Sequence, residues 1–262
     1  MADSETDQAH IAVRDLSMAY GDFVIQKDLN FSVRRGDIFV IMGGSGCGKS
    51  TLLRHLIGLK SPARGDVFYD GLSFWQGSDA DRDLMKRRFG VLFQSGALWS
   101  SMTLAENIGL PLRQYTQLSE ADIRAVAAWK LALVGLTGFE DYYPNEISGG
   151  MKKRVGLARA MAMDPDILFF DEPSAGLDPI SAKLLDDLIL ELRDTLQTTV
   201  VMVTHELASI MAIATNSVFL DAETKTQLAT GNPRELRDHC PNERVREFLW
   251  RGLEPSGKTV SS

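Results

Sequence analysis

Apolar and polar positions along the chain switch between two periods. Residues Ile11 to Met18 alternate, and Leu29 to Val33 and Asp37 to Met42 are short runs rich in β-branched and aromatic side chains. Tyr20-Gly21-Asp22 and Arg35-Gly36-Asp37 separate them, so the spacing predicts three strands joined by turns. Ile38 to Met42, Ile167 to Phe170 and Val200 to Val203 are apolar throughout, as in strands buried on both faces. Helical patterns lie between them, which predicts a parallel sheet flanked by helices.

From Gln94 to about residue 162 the pattern is mostly helical. Thr103 followed by Glu106 has the spacing of a capping box, and Ser119 with Asp122 is a weaker version. Residues of about 95–162 therefore read as a helical insert between two halves of an α/β core. Asp178-Pro179 offers an N-cap and a first-turn proline. Ile180, Leu184, Leu188, Leu192 and Leu196 follow at helical spacing and are expected to pack one face on the sheet. Residues 216–231 read as an edge hairpin, and Asn242 to Trp250 as a short amphipathic helix. Residues 1–10 and 253–262 are expected to be disordered tails.

Composition narrows the class. A chain of 262 residues buries enough surface to need no staples. Cys47 and Cys240 are too few for a disulfide framework, which favours a reducing compartment. Lys plus Arg is 28 against 35 Asp plus Glu, and the net charge of -7 argues against a general nucleic-acid binder. The opening residues, acidic at Asp3, Glu5 and Asp7, have neither the basic nor the apolar stretch of a signal peptide. No apolar run approaches the roughly 20 residues that span a bilayer. The expectation is a soluble, cytosolic protein, with nothing said about a membrane partner.

Gly43-Gly44-Ser45-Gly46-Cys47-Gly48-Lys49-Ser50, followed by Thr51, has the spacing of a phosphate-binding loop and sits between a predicted strand and a helix. Glycines let backbone N–H groups approach phosphate oxygens, and the helix N-terminus adds partial positive charge. Lys49 supplies a point charge for the β- and γ-phosphates, and the Ser50 hydroxyl suits magnesium. The alternative is a glycine-rich turn without a ligand. Cys47 reads as a small residue tolerated in the loop rather than a redox centre.

Asp171 and Glu172 follow the apolar run Ile167 to Phe170, at the strand end where ligands bind in open α/β sheets. Asp171 is placed to hold magnesium through water, and Glu172 to polarise an attacking water as general base. Ile147-Ser148-Gly149-Gly150-Met151, 23 residues before Asp171 at Ser148, opens a helix carrying Lys152, Lys153 and Arg154. This is a second anion-binding helix end. Two such ends with one acidic strand exceed what one nucleotide needs, so the second end is expected to serve a nucleotide held by another copy.

These motifs resemble the ATPase subunit of an ABC transporter, over residues 11 to about 237. The resemblance implies a RecA-like P-loop NTPase core with an N-terminal antiparallel β-subdomain and an inserted α-helical subdomain. Residues 11–240 would form this domain and 241–262 a C-terminal extension. It implies ATP and Mg2+ as cofactors. Tyr20 matches the aromatic residue that stacks on adenine, Gln94 the glutamine that touches magnesium and senses the membrane subunit, and His205 the switch histidine at the γ-phosphate. Ser174 to Asp178 matches the loop that crosses between subunits. Two subunits would sandwich two ATP molecules head to tail, with Ser148 and Gly150 of one closing over Lys49 of the other.

Met151, where most members carry glutamine or glutamate, and the segment Ser95 to Asn107 with Pro111 to Leu118, are similar to the ATPases of Mla/MCE lipid-transport systems. Met151 is also compatible with neutral change on a helix face. This resemblance implies phospholipid transport between inner and outer membranes and a peripheral place on the cytoplasmic face of the inner membrane. The implied partners are an integral permease of the MlaE type docking near Gln94–Met102, a small STAS-domain protein of the MlaB type, and a periplasmic MCE protein indirectly. Ala97, Leu98, Trp99 and Met102 would supply an apolar groove for the permease. They also read as core of the insert. The C-terminal extension, with Val245, Phe248, Leu249 and Trp250, is expected to pack on the second subunit. ATPases of amino-acid importers and lipoprotein exporters share every catalytic motif, so they stay open as an alternative. A non-transport ABC ATPase fits less well, because the chain has one set of motifs and a net acidic charge.

Overall fold

A computed structural model describes residues 9–94 and 96–251. In chain order the first half contains β1 (Ala9–Tyr20), β2 (Phe23–Arg34), β3 (Ile38–Gly43), α1 (Lys49–Leu56), β4 (Arg64–Tyr69), β5 (Leu72–Ser73), α2 (Asp79–Lys86) and β6 (Phe89–Leu92). The helical insert follows as α3 (Leu104–Tyr115), α4 (Glu120–Leu133), a 3-10 turn at Pro144–Glu146 and α5 (Gly149–Ala160). The remainder comprises β7 (Ile167–Asp171), α6 (Pro179–Leu196), β8 (Thr199–Val203), α7 (Leu207–Ile213), β9 (Asn216–Asp221), β10 (Thr226–Gly231), α8 (Pro233–His239) and α9 (Glu243–Trp250).

The strands form two sheets. One is antiparallel, in the order β2-β1-β4-β5. The other has the order β10-β9-β3-β8-β7-β6, parallel from β9 to β6 with β10 antiparallel at its edge. The apolar runs explain its position. Along β3, Ile38, Val40 and Met42 face one core with the insert helices, while Phe39 and Ile41 face a second core with the antiparallel sheet and α1. β7 and β8 alternate in the same way, so the larger sheet is buried on both faces. Each such side chain contributes about 1.5–3 kcal/mol on burial.

Local signals hold where they act locally. Thr103 and Glu106 form the full capping box of α3, Ser119 caps α4, and Asp178 caps α6 ahead of Pro179. Longer-range expectations need correction. On α6 the buried apolar positions are Leu185, Ile189 and Leu192, whereas Ile180 is 74% and Leu184 58% exposed. A strict four-residue repeat drifts by about 40° per step on a helix of 3.6 residues per turn, so five such positions cannot share a face. β1 starts at Ala9, inside the stretch expected as a tail, because buried His10 bonds the Thr199 hydroxyl at 2.7 Å. In the expected hairpin only β10 is an edge; β9 pairs with β3. β4, β5 and α2 carried no sequence expectation, although Ser78 and Asp81 form a capping box for α2.

The C-terminal helix differs most. Val245 and Leu249 are fully buried in the core of their own subunit, and Phe248 meets Phe219 edge-on with ring centroids 5.1 Å apart. Val245, Phe248 and Leu249, expected to face a second subunit, are therefore used in cis. Trp250 is half exposed over the Arg237 guanidinium. The expected tail at 253–262 lies outside the described residues. Among the described residues, no helix is long and apolar enough to cross a membrane.

Candidate active site

The C-terminal ends of β3, β7 and β8 meet at a cleft of about 890 Å³. β3 ends at Gly43, whose φ is +144° and whose missing Cβ would lie 2.2 Å from the Leu220 carbonyl. Only glycine lets the chain turn there. Gly48, at φ +98°, is the N-cap of α1 and makes no side-chain cap bond, so the first N–H groups of α1 face the cleft unused by a cap. The Lys49 ammonium donates to the carbonyls of Gly43 and Gly44, each at 3.0 Å, and lies along the loop.

Tyr20, Phe23 and Ile25 line one end of the cleft. The Lys60 ammonium stands 2.9 Å from the Tyr20 ring centroid and holds the phenol below its ordinary pKa. Ser45, Ser50 and Thr51 with the loop glycines, and Gln94, Glu172 and His205, also line the cleft. Cys47 is the exception among the loop residues. Its side chain is buried, burial raises its thiol pKa, and it does not line the cleft.

At the end of β7, the Ser50 hydroxyl donates to Asp171 Oδ1 at 2.9 Å. Glu172 adopts φ +51°, a left-handed conformation that costs about 1–3 kcal/mol in a non-glycine residue. Its N–H donates to the Val203 carbonyl and Lys153 donates to its carbonyl, which together hold the strained backbone. Its Oε1 lies 2.9 Å from His205 Nδ1, while Oε2 is buried without a hydrogen-bond partner among the described residues. A buried carboxylate oxygen left open is one prepared for a water or ligand.

The second helix end is built differently. Ser148 is the N-cap of α5, and its hydroxyl accepts from the Met151 N–H. Ser148 and Gly149 are exposed, and neither they nor Gly150 line the cleft of their own subunit. Nor does Asp178, whose carboxylate accepts from the Ser181 hydroxyl and from the N–H groups of Ile180 and Ser181; these bonds lower its pKa. Two of the three basic residues expected to support this helix end are engaged elsewhere: buried Lys153 bonds the Glu172 carbonyl, and Arg154 bonds the Val134 carbonyl.

The sequence profile of the ABC transporter family matches residues 26–175, more than half of the chain. The chain belongs to the ABC transporter ATPases. It is 40% identical over 248 residues to the "Probable ribonucleotide transport ATP-binding protein mkl" of Mycobacterium tuberculosis, covering 94% of this chain and 68% of that protein. It is 39% identical over 239 residues to the "Intermembrane phospholipid transport system ATP-binding protein MlaF" of Escherichia coli K12, covering 91% and 88%. Among solved structures, cbiO1 of Clostridium perfringens, part of the ABC transporter complex cbiONQ, superposes with a TM-score of 0.80 at 26% identity, covering 94% and 96%. The dimeric post-hydrolysis state of the cassette MJ0796, bound to ADP and Pi, gives 0.75 at 28% identity, covering 85% and 98%.

Within this ABC ATPase, several contacts at the site escaped sequence reasoning. Gln26 of β2 is fully buried and its Nε2 donates to the carbonyls of Cys47 and Asp221, each at 2.8 Å, clamping the loop to β9. A lone glutamine in an alternating strand gives no sign of this. Beyond Gln94, Trp99 is 60% exposed and Ala97 exposed, while Leu98 and Met102 are half-buried. The Asn107 amide donates to the carbonyls of Trp99, Met102 and Thr103 and accepts from the Trp99 N–H. Arg159 of α5 bonds the carbonyls of Gly96 and Ala97. Residues 96–103 thus form a surface tied to α3 and α5.

Proposed function

We propose that this ABC ATPase binds and hydrolyses ATP in a head-to-tail dimer that powers phospholipid movement between membranes through an integral permease. The observation that carries the catalytic part is the open, buried Oε2 of Glu172, whose other oxygen meets His205, in a cleft that the phosphate-binding loop also lines. The α1 amides and Lys49 bind the β- and γ-phosphates, and Tyr20 carries the adenine. Ser50, Asp171 and Gln94 are hard oxygen donors, and the Ser50–Asp171 pair across the loop suits a magnesium ion that keeps most of its ligands as water and phosphate. Bound there, magnesium would neutralise charge on the phosphate oxygens. Glu172 orients a water toward the γ-phosphorus and accepts its proton, and His205 holds that carboxylate. Phosphate leaves and ADP remains.

Ser148, Gly149, Gly150 and Asp178 serve the nucleotide of the partner subunit, consistent with their exposure outside their own cleft. The dimeric state of the MJ0796 cassettes supports this arrangement. Trp99, on the segment held by Asn107 and Arg159, receives a helix of a permease of the MlaE type. A STAS-domain protein of the MlaB type sits on the insert, where Trp129 of α4 is half exposed, and a periplasmic MCE protein acts indirectly. The ATPase is then peripheral, on the cytoplasmic face of the inner membrane. The similarity to MlaF, an intermembrane phospholipid transport ATP-binding protein, supports phospholipid as cargo, and it extends over most of both chains. The name of mkl favours a second reading, ribonucleotide transport. Copurification from solubilised membranes with mass spectrometry decides: a permease with phospholipid supports the first reading, and a nucleotide cargo the second. For catalysis, Glu172→Gln should retain ATP binding while hydrolysis falls by about 10²–10⁴-fold. Turnover near the wild-type rate would remove Glu172 from the role of base.

A further inference from the structure

The last helix reaches the nucleotide cleft, and the mechanism above makes no use of it. α9 is tied to its own subunit by more than its buried Val245 and Leu249. Phe248 packs on Phe219, and the next residue of β9, Leu220, pairs with Gly43 at the start of the phosphate-binding loop. Arg244 bonds Glu223 at 2.5 Å and lies 3.5 Å from the carboxylate of Asp221, whose carbonyl takes the Gln26 bond. The helix therefore holds a fixed position relative to the loop.

At its end, Phe248 and Arg251 line the same cleft as Tyr20, Ser45 and Lys49. The other arginines of α8 and α9 have partners. Arg234 bonds the carbonyls of Met211 and Ala212, Arg237 pairs with Asp238, and Arg246 bonds the Cys240 carbonyl. Arg251 is exposed, and its guanidinium has no carboxylate partner among the described residues. A guanidinium at the rim of a cleft shaped for polyphosphate presents a planar fork of donors to phosphate oxygens.

We propose that Arg251 contacts the phosphate chain of the nucleoside di- or triphosphate bound in its own subunit, on a helix end set by Phe248. This rests on the nucleotide-binding reading above and adds a residue to it. Lys49 and Arg251 then approach the phosphates from separate elements, one from the loop and one from the end of the domain. The family profile, which ends at residue 175, does not reach α9.

The test is equilibrium binding of ATP, ADP and adenosine to the full chain, measured as wild type, Arg251→Ala, Arg251→Lys and Lys49→Ala over a range of protein concentrations. Arg251→Ala should weaken ATP and ADP about tenfold, the scale of one hydrogen bond to a charged group, and leave adenosine unchanged. Arg251→Lys should restore part of the loss, and thermal unfolding without nucleotide should match wild type. The loss should be the same where the chain is monomeric. Equal ATP affinity in wild type and Arg251→Ala overturns the proposal, as does an equal loss for adenosine. A loss confined to concentrations where dimers form overturns the same-subunit assignment. If Lys49→Ala binds ATP as well as wild type, the nucleotide site itself is misplaced and the proposal falls with it.

Discussion

α1 and α5 both begin with glycines, and both were expected to receive phosphate, yet their N-termini are finished in opposite ways. α1 starts from a left-handed Gly48 with no side-chain cap, directly over the cleft. α5 starts from Ser148, whose hydroxyl already caps the Met151 N–H, and its basic residues Lys153 and Arg154 are spent on backbone carbonyls. The first opens its uncapped N–H groups to the cleft of its own chain. The second is a side-chain-capped helix end whose Ser148 and Gly149 are exposed outside that cleft. A shared glycine-rich pattern does not make two equal sites; the cap and the direction of the cations separate them.

That contrast breaks most sharply at Lys49. Lys49→Ala should weaken ATP binding by about a hundredfold, since charge-assisted contacts to phosphate are among the strong ones. A calorimetric titration showing little loss would mean that the α1 end is no receptor.

pH probes how α1 is anchored at its far end. His55, in the last turn of α1, bonds the Lys60 carbonyl at 2.6 Å, and burial lowers its pKa from 6.5 to about 4. Burial holds His10, at the start of β1, down to about 4 as well, helped by the nearby Arg35 and against the pull of Asp70. The native state refuses protons that the unfolded chain accepts, so stability is full above pH 6.5 and falls as pH drops toward 4. Each histidine contributes on the order of 3 kcal/mol to that fall. Melting curves from pH 7.5 to 4.5 should show it, and His55→Gln, which keeps a donor, should have a shallower slope.

Smaller effects sharpen the comparison. Gln26→Leu leaves the Cys47 and Asp221 carbonyls without their donor and should cost about 2 kcal/mol, with weaker ATP binding, because the loop loses its clamp. Denaturant unfolding and nucleotide titration measure the two consequences. Ser148→Ala should cost about 1 kcal/mol in the isolated subunit, the value of an N-cap, without changing nucleotide binding to the monomer. α1 has no comparable cap to lose.

What the sequence made legible follows the range of the forces involved. The phosphate-binding loop, the acidic end of β7 and the caps at Thr103, Ser119 and Asp178 are contiguous patterns, and each sits where its spacing says. The left-handed backbone of Glu172 is imposed by Val203 and Lys153 from other elements, and the Gln26 clamp joins two strands and a loop. Neither leaves a local trace. α6 misled because exposed Ile180 and Leu184 supply an apolar repeat that is not its buried face. The last helix misled similarly: Val245 and Leu249 are spent on the core of their own chain.

The central claim is that a working site joins the α1 end of one subunit to the α5 end of another. Mixing Lys49→Ala with Ser148→Arg subunits tests it directly by steady-state ATP hydrolysis. Each variant alone should be nearly inactive, and the mixture should exceed the sum of the two, because a mixed dimer contains one site with both ends intact. Full activity in Ser148→Arg alone, or a mixture no more active than its parents, would contradict the account.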